Sequence, residues 1–164
     1  MSKYQYIDCR KGITPDIEEQ IRQAWIQDDV LPKEFFNERL KEIAMVAVNE
    51  QGKLVTVSSC YKEKDPILGV YLYYLRGFVP SQFRSDHLVT EIIVVMKKLL
   101  NDEFVKNNKQ ELQTAIGTAV VLENESIRRN LITAVLPKTG STFYGFNEKQ
   151  EPCYVRYFDR CKIL

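Results

Sequence analysis

The run Val79-Pro80-Ser81-Gln82-Phe83-Arg84-Ser85-Asp86-His87-Leu88 joins an aromatic-rich apolar stretch, Val70 to Val79, to a segment whose apolar residues recur at helical spacing, Leu88 to Leu100. Along the first stretch Val70, Leu72 and Tyr74 fall on one face and Tyr71, Tyr73 and Leu75 on the other, so both faces are largely apolar and the pattern predicts a central strand. Gly77 within it predicts a bulge or a close approach by another group. The second stretch predicts a helix from about Asp86 to Asn101 that buries Leu88, Ile92, Val95, Met96 and Leu99. A strand that passes at once into a helix points to packed α/β layers. It also leaves unpaired N–H groups and the positive end of the helix dipole at the junction, which suits an anionic ligand.

The flanking sequence supplies the other elements. Lys3 to Cys9 alternates loosely, as a first strand does. Thr14 before Pro15 predicts a capped helix carrying Ile17, Ile21, Trp25 and Ile26, and Pro32 opens a second with Phe35, Phe36, Leu40 and Ile43 on its apolar face. Ala44 to Val48 and Leu54 to Tyr61 form a hairpin about Asn49-Glu50-Gln51-Gly52. Lys62 to Pro66 is a charged turn leading to the Val70 strand. Asn101 to Gln113 ends the long helix and turns, and Thr114 to Leu122 is an uncharged interior strand. Glu123 to Ser126 caps a helix through about Leu136 that Pro137 and Gly140 stop, and Thr142 to Phe146 pairs with Cys153 to Phe158. An interior strand on each side of the long helix implies a parallel pair joined by a right-handed crossover. The expected fold is a mixed α/β or α+β sheet with helices on both faces.

Bulk properties exclude several classes. At 164 residues the chain fits one domain, 1–164, with a core that needs neither disulfides nor metal. A net charge of +1 offers no general attraction to nucleic acid or an anionic membrane, so any phosphate binding must be local. The apolar run Ile92 to Met96 is far too short to span a bilayer, and the first residues show no signal-peptide pattern; a cytoplasmic protein is expected. Cys9, Cys60, Cys153 and Cys161 have no C-x-x-C spacing and His87 is the one histidine, so no metal site is predicted and the cysteines are expected as free thiols.

The element order, together with Val79 five residues before Arg84, resembles the GCN5-related N-acetyltransferase (GNAT) superfamily over nearly the whole chain. The resemblance implies a central sheet of about seven strands and an acyl-CoA-dependent N-acyltransferase, with acetyl-CoA or another acyl-coenzyme A as co-substrate and direct transfer to an amine. In that family an Arg/Gln-x-x-Gly-x-Gly/Ala loop after the fourth strand holds the pyrophosphate. Carried over, this implies cofactor contacts from Phe78, Val79, Arg84, Ser85, Asp86, His87 and Leu88, with Asn124 opening the helix after the fifth strand. The loop departs from the pattern. Starting at Arg84 puts His87 and Val89 where the family has glycine, and starting at Gln82 puts Ser85 and His87 there. The tyrosine the family often carries before a glycine on the later helix is also missing, since Leu136 and Val135 precede Gly140.

Catalytic candidates follow from what amine acylation requires: a base for the ammonium and a proton donor for the departing sulfur. Glu63, Tyr73 and Tyr144 are the leading ones, with Tyr71, Asp65 and Tyr154 behind them. Each also has a plainer reading, as a packed aromatic or a solvated charge, and Ser85 and Asp86 are ordinary helix caps. The partner expected is a small-molecule or protein amine, and the protein a monomer or homodimer. The alternative is a GNAT-like fold without catalysis that serves as a binding or interaction module; exposed aromatics on one strand face would support it.

Overall fold

The structure, a computed structural model, describes residues 3–84, 87–107, 109–130 and 133–164, without the side chains of 126, 127 and 130. Its elements are β1 (Gln5–Asp8), α1 (Pro15–Gln27), a 3-10 turn (Lys33–Phe35), α2 (Phe36–Lys41), β2 (Ile43–Val48), β3 (Leu54–Lys64), β4 (Tyr71–Phe78), a second 3-10 turn (Ser81–Phe83), α3 (Leu88–Asn107), β5 (Gly117–Val121), α4 (Glu125–Asn130), β6 (Thr142–Phe146) and β7 (Pro152–Tyr157). The strands form one mixed seven-stranded sheet in the order β1-β2-β3-β4-β5-β7-β6, flanked by helices. β4 and β5 are parallel, as the intervening helix requires, while β1–β2, β2–β3, β5–β7 and β6–β7 are antiparallel.

By contact the chain divides into two compact units, Met1–Cys60 with Gly77–Met96, and Tyr61–Arg76 with Lys97–Leu164. In the first unit Thr14 caps α1, its hydroxyl accepting from Ile17 N–H, and Pro15 takes the first turn, where it sacrifices no hydrogen bond. The buried stripe Ile17, Ile21 and Trp25 packs with Phe36 onto Val46, Val48, Leu54 and Val57. Trp25 and Phe36 meet edge to face at 5.2 Å. All of β2 is buried. Gly52 turns the β2–β3 hairpin with φ +72°, which a side chain rarely adopts.

Two expectations for this unit change. The helix predicted from Pro32 is a 3-10 turn followed by the short α2, with Phe35 54% exposed instead of packed. Ile43, assigned to that helix, opens β2, because the Glu42 carbonyl is taken by Cys60 N–H and Ile43 pairs with Ser59.

In the second unit Leu72, Ile116, Ala119 and Val155 form the core, with Tyr74, Phe104 and Tyr144 packed against it. α3 runs to Asn107, beyond the expected end at Asn101. Tertiary contacts hold the extra turns: Asn101 bonds Asp159 through both its side-chain amide and its carbonyl oxygen, and Phe104 lies 5.2 Å from Phe158. The helix predicted through Leu136 stops in the described residues at Asn130. Ala134–Leu136 is instead extended along β6, where Val135 bridges Thr142, Leu136 N–H reaches the Ser141 carbonyl and Phe143 N–H the Ala134 carbonyl. Pro137 to Gly140 turns this short hairpin, and β-branched Thr133 and Val135 suit extension better than helix. β6 ends the sheet and is bulged between Phe143 and Gly145.

Candidate functional site

In the first unit the exit from β4 is anchored at several points. Thr56 Oγ1 donates to the Phe78 carbonyl at 3.0 Å, and Val79 is buried. The Ser81–Phe83 turn is held by Asp28, whose carboxylate accepts from Ser81 N–H at 2.7 Å, and by Lys53, whose ammonium lies 5.4 Å from the centre of the Phe83 ring. Asp28 also faces the Arg84 guanidinium at 3.6 Å; the carboxylate is 4% exposed and the guanidinium 66%. A sequestered carboxylate thus aims an otherwise solvated cation. Nothing in the sequence marked Asp28 except its place just past α1. His87 is exposed and its carbonyl accepts from Glu91 N–H, the start of α3's bonding pattern; Leu88 is buried. Ser85 and Asp86, both expected at the cofactor, lie outside the described residues.

Gly77 carries the close approach its sequence position predicted. A Cβ there would fall 2.8 Å from Val89 Cγ1, so Val89 is turned onto the bare backbone of β4.

In the second unit the β4–β5 ladder takes in Tyr73 with Thr118 and Tyr74 with Ala119, after the Ile116 N–H bond to the Tyr71 carbonyl. Among the described residues of that unit, Val120 and Val121 then pair with β7 alone. Past the ladder Leu75 is buried and Arg76 half-buried on β4, and Val120 and Val121 are half-buried on β5.

Beside this parting lies a polar column. Buried Asp65 accepts from Ile67 and Leu68 N–H on one carboxylate oxygen and from the Tyr74 and Tyr144 hydroxyls on the other. Burial pushes its pKa upward, but the hydrogen bonds from Tyr144, Tyr74 and the two amides outweigh it and hold the carboxyl below its usual value. Burial first, and then the bond to Asp65, push the Tyr74 and Tyr144 hydroxyls well up, so both keep their protons at neutral pH. Tyr61 stacks on Tyr74 with centroids 5.3 Å apart; Arg76 lies over the Tyr61 ring at 4.4 Å, bonds its hydroxyl at 3.1 Å, and reaches Glu123 at 3.9 Å.

Of the catalytic candidates, Tyr144 is tied into this column. Tyr73 is half-buried with its ring 6.4 Å from Phe158, and Glu63 is exposed at the end of β3. Asn124 is exposed and its carbonyl takes the Arg128 N–H that starts α4. Tyr154 is buried, its hydroxyl on the Thr133 carbonyl. Tyr61, Tyr74 and Arg76 were not singled out as polar partners. The available signal was Asp65-Pro66-Ile67-Leu68-Gly69, a turn sequence whose Asp side chain folds back on its own amides. Among the described residues no three metal-ligating side chains cluster, and no helix is long and apolar enough to cross a membrane.

No family model matches the chain, and no curated protein matches it in sequence. The likeness is in three dimensions: the fold is that of the GNAT acetyltransferases. A ribosomal-protein-S5-alanine acetyltransferase from Vibrio fischeri aligns with a TM-score of 0.62 at 12% identity, over 99% of this chain and 97% of that one. A GNAT-family acetyltransferase from Listeria monocytogenes 4b F2365 gives 0.60 at 14% identity, over 94% and 95%. AtaTR, solved with acetyl-CoA bound, gives 0.55 at 10% identity, over 96% and 95%.

Proposed function

We propose that this protein is an acyl-CoA-dependent N-acyltransferase that passes an acyl group, acetyl in the first instance, directly to an amine of a small molecule or a protein. The observation that carries this reading is the end of the β4–β5 ladder at Tyr74 and Ala119 within a GNAT acetyltransferase fold. Strands that stop pairing while both continue leave backbone groups and room for a narrow ligand arm. A neighbour of the same fold, AtaTR, is known with acetyl-CoA bound.

The residues present fit the co-substrate. Arg84 is a solvated cation aimed by a buried carboxylate close to the start of a 20-residue helix, where an anion is favoured. The bulk of Val89 is absorbed by Gly77. By the family resemblance the backbone of Phe78 and Val79 would align the pantetheine arm and Arg84, Ser85, Asp86, His87 and Leu88 would hold the diphosphate; Asn124, in the second unit, is the remaining residue that the resemblance assigns to the cofactor. Bound coenzyme supplies the activated thioester. On the acceptor side exposed Glu63 would be the base for the ammonium proton, Tyr73 would line the approach, and Tyr144, kept protonated beside Asp65, would be the donor toward the departing sulfur once its hydroxyl turns from that carboxylate.

Calorimetric titration with acetyl-CoA tests the reading: saturable binding is expected, weakened roughly tenfold by Arg84→Ala. No heat at millimolar ligand overturns it. One observation favours a second reading, a binding module without catalysis: neither register of the loop supplies a glycine. Following free thiol with a panel of amines separates the two, since coenzyme release that depends on the amine belongs only to the enzyme.

A further inference from the structure

A recess of about 180 Å³ in the second unit lies among α3, β5, β7 and the turn that precedes β6, with Lys97, Thr118, Thr139 and Arg156 among its walls. At roughly 30 Å³ per water it has room for about six waters, enough for a tetrahedral oxyanion. These residues take no part in the acyl-transfer reading.

Two buried groups in it lack what their chemistry calls for, and the exposed Arg156 stands beside them. Thr118 is 1% exposed and its Oγ1 has no hydrogen-bond partner, a state that destabilises a fold unless something satisfies it. Lys97 is 8% exposed, and its ammonium is bonded at 2.7 Å to the Thr139 carbonyl and at 2.7 Å to Ser141 Oγ, both neutral acceptors. Arg156 is the β7 partner of Thr118, which places the two side chains on one sheet face. Its guanidinium points toward the turn, with Nη1 4.0 Å from where a Cβ on Gly140 would stand. Among the described residues no carboxylate forms an ion pair with Lys97 or Arg156. One acid, Asp159, also lines the recess, where its carboxylate is bonded to Asn101, and Lys98 is paired with Asp102. Burial first, and then the Arg156 charge, lower the Lys97 pKa to about 8.

We propose that this recess is a phosphate site, in which a tetrahedral oxyanion accepts from the Thr118 hydroxyl, the Lys97 ammonium and the Arg156 guanidinium, borne either by inorganic phosphate or by a small phosphate monoester. A carboxylate would meet the charge but not the several converging donors as fully, and a neutral ligand would leave the buried Lys97 ammonium without an ion-pair partner.

The test is a calorimetric titration of the full chain at constant ionic strength with inorganic phosphate and, separately, with methyl phosphate. The expected result is saturable binding of at least one of them, weakened about tenfold or more by Thr118→Val and by Arg156→Gln. Thr118→Val keeps the side-chain volume and removes an unpartnered hydroxyl, so its fold is retained; circular dichroism checks this for both variants. Tighter binding of methyl phosphate assigns the site to an ester, and tighter binding of phosphate to the free ion. No saturable binding of either probe, or equal affinity in the wild type and both folded variants, overturns the proposal.

Discussion

Val89 Cγ1 lies 2.8 Å from the point where a Cβ on Gly77 would stand. The second residue of α3 therefore rests on β4 at the one position in that strand that has no side chain. Val89 occupies a loop-register position where the family resemblance expects glycine.

Gly77→Ala should therefore destabilise the fold by about 1–3 kcal/mol through overpacking. Val89→Ala introduced into the same chain should recover most of that loss. Urea denaturation of both single variants and the double variant measures the coupling, and strict additivity would mean that the two residues do not compete for space.

Asp65 serves four donors, so Asp65→Ala strands two half-buried hydroxyls and two amides and should cost about 3 kcal/mol. The pH dependence has a defined sign. Because the folded carboxyl titrates below its ordinary 3.8, it contributes stability that is complete above that value and is lost as the pH falls through the lower folded value. Wild type should accordingly lose stability below 3.8 more steeply than Asp65→Asn, read by urea midpoints across an acid series.

Lys97 has a linkage of the same sign in a higher pH window. Its folded pKa of about 8 lies below the ordinary 10.5, so between those values the unfolded chain binds the extra proton and folding becomes more favourable as pH rises. The change is worth up to about 3 kcal/mol across the window. Lys97→Met should flatten this part of the stability curve, and the Nζ or Cε resonance of Lys97 should titrate near pH 8 in the wild type.

Burial pushes the Cys60 thiol up to about 12 and raises Cys9, Cys153 and Cys161 as well. At pH near 8 a disulfide reagent such as Ellman's should react with the native protein slowly, with Cys60 slowest, and promptly once denaturant is added. Fast native reaction at Cys60 would contradict the burial that raises it.

The strand-to-helix junction was legible in the sequence because its signals are local: two-sided apolar alternation to Leu75, Pro80, then helical spacing from Leu88. What escaped depends on distant partners. The polar turns of α3 past Asn101 carry no helical signal of their own and are held by Asp159 and Phe158. Phe35 matched a helical stripe but sits on a 3-10 turn whose geometry points it outward. At the candidate site the sequence offers two registers for the proposed cofactor loop, whereas it marks neither the Asp28 tether nor the Asp65 column. An aspartate in a charged turn looks the same in sequence whether it is solvated or enclosed by two tyrosines. Thr118, likewise, looked like any other residue of an interior strand.

The pairing of Ala134–Leu136 along the outer side of β6, and the bulge beyond it between Phe143 and Gly145, bear on how the molecule meets its own copies. An aromatic terminal strand left straight and bare would template ribbon growth from chain to chain. Here half of its free hydrogen-bonding rim is already taken and the other half is bent out of register, so sideways polymerisation is blocked without placing a charge on the strand.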